Sequence, residues 1–239
     1  MDSWHYEPAA DLDQPLLERL RNFPREPDML VYGARTVAAM MMRAWLRMYH
    51  RLKIVGRENL PIDGSFVMVA NHTSHLDTLC LLSAIPYERL HRTFPAAAQD
   101  YFFVSVPRLL VATVVVNALP FHRQAATRQS LGVCGHLLAN PGNVLLIFPE
   151  GTRSPNGVLQ DFRPGVGLLL AGSAIPVVPC HVAGAHRAWP KGCWLPRPCA
   201  IRLTIGRPRC YADAPLGKVS ALAIARELHD DVERLGARN

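Results

Sequence analysis

Charge is scarce in this chain. Asp, Glu, Lys and Arg together make up 19% of its 239 residues, against 49% apolar. That balance excludes a disordered chain, which keeps charge high and hydrophobicity low. The sequence has no low-complexity tract and no internal repeat, and its 20 prolines and 16 glycines are spread out rather than gathered into a linker. One large domain, or a domain with a small appendage, is the expectation from length. A disulfide framework is missing too. The six cysteines (Cys80, Cys134, Cys180, Cys193, Cys199 and Cys210) show no CxxC spacing, and Cys193 and Cys199 stand six apart in a Pro- and Trp-rich loop that suits ordinary thiols better than zinc. The opening "MDSWHYEPAADLDQ" is acidic where a secretory signal would be basic and then apolar. A reduced, cytosolic setting is expected.

Long hydrophobic runs are also lacking. Within residues 29–52 the longest charge-free run, between Arg35 and Arg43, is seven residues, whereas crossing a bilayer takes about 20. Residues 164–186 hold no Asp, Glu, Lys or Arg, but Pro176, Pro179 and several glycines interrupt them. They read as protein core rather than a membrane span.

What charge there is lies unevenly. The net charge is +7; residues 1–28 hold seven acids against three arginines, and residues 29–60 hold six basic residues against one acid. The second segment therefore suits an anionic surface. Its stretch "MLVYGARTVAAMMMRAWLRMYHRL" is helical in pattern, with Arg43, Arg47 and Arg51 at four-residue spacing and Arg35 on the same half, opposite Met, Ala, Leu and Trp45. Two readings stand. The helix lies on a membrane, or it packs its apolar side on the core and leaves its arginines in water. A shorter helical piece, "QPLLERLRNF", precedes it.

From about residue 60 short apolar runs alternate with amphipathic ones. "SFVMVAN", "VATVVVNALPF", "VLLIFPEG", "IPVVPCHVAGA" and "IRLTIGRP" read as strands; "SHLDTLCLLSAI", "ATRQSLGVCGHLLAN", "VGLLLAGS" and "SALAIARELHDDVERLG" read as helices. Such alternation predicts an α/β domain around a mixed, largely buried sheet flanked by helices.

Four stretches could carry chemistry. In "NHTSHLD", residues 71–77, a strand stops near Asn71 and Ser74 can cap the following helix, so that Ser74 and Asp77 form a capping box. That is a structural use for the aspartate. His72 sits before the cap, in a loop at the end of a strand, where ligand sites of open α/β sheets gather. Asp77, five residues on, can hold one imidazole nitrogen and leave the other free as a base. His75 starts the helix and points elsewhere, so the chemistry is expected of His72. In "FPEGTRS", residues 148–154, Gly151 permits a sharp turn, Thr152 offers a hydroxyl and Arg153 a planar fork suited to phosphate. A simple turn closed by a Glu150–Arg153 pair is the plainer reading. "LPFHRQ" places Arg123 after another apolar run, with Arg128 five residues on; either also reads as a solvated surface arginine. "AIPVVPC" has no polar side chain that could act and reads as a core strand.

In this order the four blocks resemble the glycerolipid acyltransferase family. Its HxxxxD block is matched by His72 to Asp77, its FPEGTRS block by Phe148 to Ser154 without change, and its proline-bearing fourth block by Ile175 to Pro179. The resemblance implies an α/β acyltransferase domain, residues 56–239, preceded by a membrane-binding amphipathic helical segment, residues 1–55. It implies transfer of a fatty acyl group from acyl-CoA or acyl-carrier protein to the free hydroxyl of a lysophospholipid, 1-acyl-sn-glycerol-3-phosphate above all. His72 would be the general base and Asp77 its orienting partner. Glu150, Gly151, Thr152 and Arg153 would line the acceptor site, with Arg153 and Arg123 facing the phosphate. The acyl thioester is a co-substrate, so no cofactor and no metal is expected. The location implied is the cytoplasmic face of an anionic membrane, peripheral or monotopic. His122 departs from the charged residue usual before the second-block arginine, which leaves room for another lyso-acceptor such as a lyso-ornithine lipid or a glycolipid. A non-catalytic lipid- or nucleic-acid-binding module would explain the net charge but not FPEGTRS beside HxxxxD. The basic residues also lack the interleaved aromatics of a single-strand binder, so no nucleic acid is expected.

Overall fold

In the computed structural model residues 29–98, 117–121 and 127–237 are described. The expected helix "QPLLERLRNF" and most of "VATVVVNALPF" lie outside them. In chain order come α1 (Met29–Tyr49), β1 (Lys53–Val55), β2 (Phe66–Ala70), α2 (Leu76–Ala84), β3 (Thr93–Ala98), β4 (Leu119–Phe121), α3 (Thr127–Ala139) and β5 (Val144–Ile147). Then follow α4 (Gly165–Leu170), β6 (Val177–Ala183), α5 (Ala185–Ala188), β7 (Arg202–Ile205) and α6 (Lys218–Ala237). The described strands form one mixed sheet in the order β1-β7-β6-β2-β5-β3-β4. Neighbours are parallel except β6 and β7, which pair antiparallel from Cys180 opposite Ile205 to Ala183 opposite Arg202.

The period-2 alternation of β2 explains why the sheet is covered on both faces. Phe66, Met68 and Ala70 join one core with Leu46 of α1 and Leu76, Cys80 and Leu81 of α2. Val67 and Val69 join the other with Cys134 and Leu138 of α3, Val166 and Leu170 of α4, and Leu228 and Val232 of α6. All five β2 residues are buried, the signature of a central strand between two helical layers. Helices α4 and α6 touch at backbone distance, since a Cβ added at Gly167 would stand 2.0 Å from the Ala221 carbonyl oxygen. Any larger residue there would push the two helices apart.

Two strands escaped the sequence reading. β1 is three residues long, supported by pairing to β7 and by Ile54 packed on the core. β3, "TFPAAA", is rich in Pro and Ala, residues depleted in strands, and it survives because Thr93–Pro95 pairs with β5 and Ala96–Ala98 with β4.

Helix α1 corrects the expected arginine stripe. Arg35 is buried at 4% exposure, and burial lowers its pKa to about 10. Arg43 donates from Nη2 to the carbonyl oxygens of Leu82, at 3.3 Å, and Ile85, and its guanidinium lies 3.8 Å from the centre of the Tyr87 ring. These carbonyls end α2, where a helix leaves acceptors without internal partners and favours a cation. Arg47 and Arg51 remain exposed. The outward face is instead apolar, with Leu30 85%, Met41 64% and Met48 77% exposed. Leu46, fully buried, anchors α1 to the sheet, and burial of one such side chain contributes about 1.5–3 kcal/mol.

Candidate active site

Sheet order puts the first two motifs side by side. β2 and β5 are parallel neighbours, with Val69 opposite Ile147, so the chain leaves both strands at the same edge of the sheet. The loop that follows β2 carries His72, and the loop that follows β5 carries Glu150. This is the edge where open α/β sheets bind ligands.

Asn71 makes the exit from β2 sharp. Its side chain donates from Nδ2 to the Val182 carbonyl at 3.0 Å and accepts the Val182 N–H on Oδ1 at 2.8 Å. A side chain thus continues the ladder to β6 in place of backbone, and the main chain is free to turn away one residue before His72. Three bonds then converge on one atom. Asp77 Oδ2 accepts the N–H of Thr73 at 2.6 Å and of Ser74 at 2.8 Å, and lies 3.1 Å from His72 Nδ1. Because that oxygen is already an acceptor, the His72 proton belongs on Nδ1, and Nε2 keeps its lone pair. Asp77 is fully buried, while the His72 side chain is 18% exposed. The aspartate is therefore both the loop's cap and the histidine's partner. The capping box is half present: Asp77 reaches back to the Ser74 N–H, but Ser74 Oγ accepts from Leu76 at 3.2 Å and donates to the Trp189 carbonyl at 2.8 Å. The helix starts at Leu76, one residue later than expected, with His75 in the capping position.

The second motif closes around the first. Phe148 stacks on the His72 ring with centroids 4.0 Å apart and planes 16° from parallel. Glu150 Oε1 accepts the His72 backbone N–H at 2.7 Å, and the Ser154 N–H donates to the His72 carbonyl at 2.8 Å. His72 is held by ring, amide and carbonyl at once. Glu150 is only 3% exposed, and its Oε2 has no hydrogen-bond partner among the described residues. Burial raises its pKa to about 7, which the His72 and Gln160 backbone amides partly oppose and the Asp77 charge assists. Through Oε1, Glu150 thus shapes the loop that carries His72. Gly151 adopts φ +76°, and a Cβ there would meet the Arg163 guanidinium at 2.8 Å. Thr152 and Arg153 are half-buried beside it.

His75 differs from His72 in kind. Burial first, then the charge of Arg153 and the proximity of His72, lower its pKa to about 4, and its ring lies tilted against Trp189 at 5.7 Å between centroids. It stays neutral at ordinary pH. The Arg153 charge is thus felt at His75. Arg123 lies outside the described residues. The fourth block leads into strand β6, a core element whose Val182 receives the Asn71 side chain. Three useful residues were not found from sequence. Asn71 and Arg163 sit in ordinary local patterns, and Phe148 was quoted only as a motif letter; the partners of Asn71 and Phe148 lie far along the chain.

A buried carboxylate fixing one imidazole nitrogen, an open nitrogen opposite, and a Gly-Thr-Arg turn beside them form a site for taking a proton from a hydroxyl held near an anion. Residues 51–183 match the Acyltransferase family model. The chain belongs to the acyltransferase family. Within that family it is 33% identical over 147 residues to a chloroplastic 1-acyl-sn-glycerol-3-phosphate acyltransferase of Arabidopsis thaliana, covering 60% of this chain and 39% of that one. It is 29% identical over 164 residues to the 1-acyl-sn-glycerol-3-phosphate acyltransferase of Pseudomonas aeruginosa, covering 68% of this chain and 60% of that one. The chain spans about two-fifths to a half of the length of the plant and algal relatives it matches. In fold it is similar to the crystal structure of the 1-acyl-sn-glycerophosphate acyltransferase PlsC from Thermotoga maritima, with a TM-score of 0.64 and 23% identity over 85% of this chain and 77% of that one.

Proposed function

We propose that this acyltransferase-family protein moves a fatty acyl group from an acyl thioester, acyl-CoA or acyl-carrier protein, to the free hydroxyl of a lysophospholipid, with 1-acyl-sn-glycerol-3-phosphate as the acceptor. The observation that carries this reading is His72 held by Asp77 at 3.1 Å with its other nitrogen open, locked to the Glu150–Arg153 turn. In the reaction His72 Nε2 takes the acceptor hydroxyl proton as the oxygen attacks the thioester carbon. The tetrahedral adduct then expels the thiolate as the C–S bond breaks, and the imidazolium returns the proton to sulfur. Base catalysis of this kind supplies roughly 10²- to 10⁴-fold, and holding both substrates in place supplies much of the rest. Arg153 is the described guanidinium for the acceptor phosphate, and Arg123 is retained as a second. The thioester is already activated, so the scheme calls for neither cofactor nor metal.

Among the described residues no helix is long and apolar enough to cross a membrane. The exposed apolar face of α1 supports peripheral attachment, on the cytoplasmic side in this proposal, where an acyl thioester and a lipid acceptor can meet. The deciding experiment supplies a labelled acyl thioester with and without 1-acyl-sn-glycerol-3-phosphate and follows thiol release and labelled phosphatidic acid. The protein should release thiol only when acceptor is present, and His72→Ala should abolish transfer without altering the unfolding temperature. Turnover retained in His72→Ala would remove the histidine from its role. Release without acceptor would indicate a thioesterase, and preference for another lyso-lipid would move the headgroup assignment alone.

A further inference from the structure

Two of the stretches of this chain without Asp or Glu are basic. Residues 29–57 hold six basic residues and residues 162–212 hold seven. The fold joins them. The Tyr49 hydroxyl donates to the Pro196 carbonyl at 3.2 Å, His50 Nδ1 lies 3.3 Å from the Cys199 carbonyl, and the Ile201 N–H donates to the His50 carbonyl at 3.0 Å. The end of α1, with Met48 77% exposed, therefore borders the loop after α5, where Trp194 is 88% and Leu195 65% exposed.

That loop is a built feature. Trp189 Nε1 donates to the Cys193 carbonyl at 2.9 Å, the Cys193 N–H to the Pro190 carbonyl at 3.2 Å, and the Arg197 N–H to the Ala188 carbonyl at 2.7 Å. Its base is closed and its apolar tip points outward, flanked by exposed Lys191 and Arg197. The base also touches the site, because the Trp189 carbonyl accepts the Ser74 hydroxyl and the Trp189 ring leans on His75.

We propose that the loop from Trp189 to Arg197 is a lipid-docking element. Trp194 and Leu195 enter the interfacial layer of an anionic bilayer, Lys191 and Arg197 meet its phosphates, and the docked loop sets the catalytic loop at the membrane surface. Indole prefers the membrane–water interface, where its ring is half apolar and its N–H stays wet. Basic side chains beside it add attraction to anionic lipid. A protruding tip beside a convex apolar helix face fits a deformable surface better than a protein partner, whose anchors are received in pockets. Part of the inference rests on the membrane-acceptor reading above, but docking itself is measured without any substrate.

The test uses the full chain and vesicles of phosphatidylcholine with or without about a fifth of phosphatidylglycerol. Partition of wild type is compared with Trp194→Ser/Leu195→Ser, and quenching of tryptophan fluorescence by brominated phosphatidylcholine in the anionic vesicles is compared with Trp194→Phe. The double variant should bind anionic vesicles about tenfold more weakly, and most of the quenching should vanish in Trp194→Phe. Because both side chains are exposed, unfolding temperatures should not move. Unchanged partition of the double variant, unchanged quenching in Trp194→Phe, or a loss confined to affinity for acyl-carrier protein would each overturn the proposal. Weakened docking in a protein that transfers no acyl group would leave the loop standing and remove the functional reading instead.

Discussion

The loop from Asn71 to Asp77 and the arginine stripe of α1 are both polar patterns set on apolar segments, and the fold treats them in opposite ways. In the loop, every bond to Asp77 is local, from Thr73, Ser74 and His72, so the carboxylate holds the loop closed while the imidazole stays accessible. In α1, Arg43 finds its acceptors about forty residues away at the end of α2, and Arg35 is buried. The stripe that looks like a solvent- or membrane-facing edge is in part internal carpentry, and several apolar residues, Leu30, Met41 and Met48 among them, face outward. A polar side chain takes its role from where its hydrogen bonds are satisfied, and repeat spacing does not reveal that.

Substitutions can sharpen this contrast. The largest effect should come from Asp77→Ala, which strands the Thr73 and Ser74 amides and frees the His72 ring. Acyl transfer should fall by roughly a hundredfold or more, and each stranded amide should cost about 1–3 kcal/mol in a denaturant titration. Loss of activity with full stability would show that the loop does not depend on its carboxylate. Next, Arg43→Ala should cost about 1–3 kcal/mol by taking this donor from the Ile85 carbonyl and leaving the Leu82 carbonyl only the Ile85 N–H. Arg47→Ala, on the exposed part of the same stripe, should stay within about 0.5 kcal/mol. Equal effects would return the stripe to a single surface role.

Glu150→Gln tests whether the buried carboxyl is structural. With its pKa raised from 4.5 to about 7, the folded protein holds a proton there that the unfolded chain has already lost. The stability contributed by this site is full below about 4.5 and is lost as pH rises through about 7. The amide should flatten that slope while still accepting the His72 N–H. An unchanged pH profile of unfolding would place the titration elsewhere. The smallest effect on rate is expected of His75→Ala, a less than tenfold loss, because a half-buried imidazole that stays neutral down to about pH 4 is a poor proton acceptor near neutrality. A loss matching His72→Ala would erase the distinction between the two histidines.

Most of the layered α/β plan was legible because hydrophobic period is local. β2 and α2 fall within a residue or two of their expected bounds, and helix α3 starts and ends one residue inside "ATRQSLGVCGHLLAN". β1 and β3 were not legible, since three residues carry no period and the composition of β3 opposes the strand that its neighbours impose. In the site, the His72–Asp77 pairing could be read from spacing alone, because five residues across a strand-to-helix turn bring the groups together. The support that Glu150 and Phe148 give to His72 could not. Their contacts span roughly eighty residues and exist only because β2 and β5 are parallel neighbours.

By itself, then, the sequence determined most of the elements, the dyad and the turn that belongs with it, because each depends on residues close enough along the chain to constrain one another. Tertiary structure alone decided that the two loops share one edge, that Glu150 is a buried support, and that α1 turns Arg35 and Arg43 inward. Those outcomes follow from sheet order and from which distant carbonyl or amide is left needing a partner, and neither is written in any local pattern.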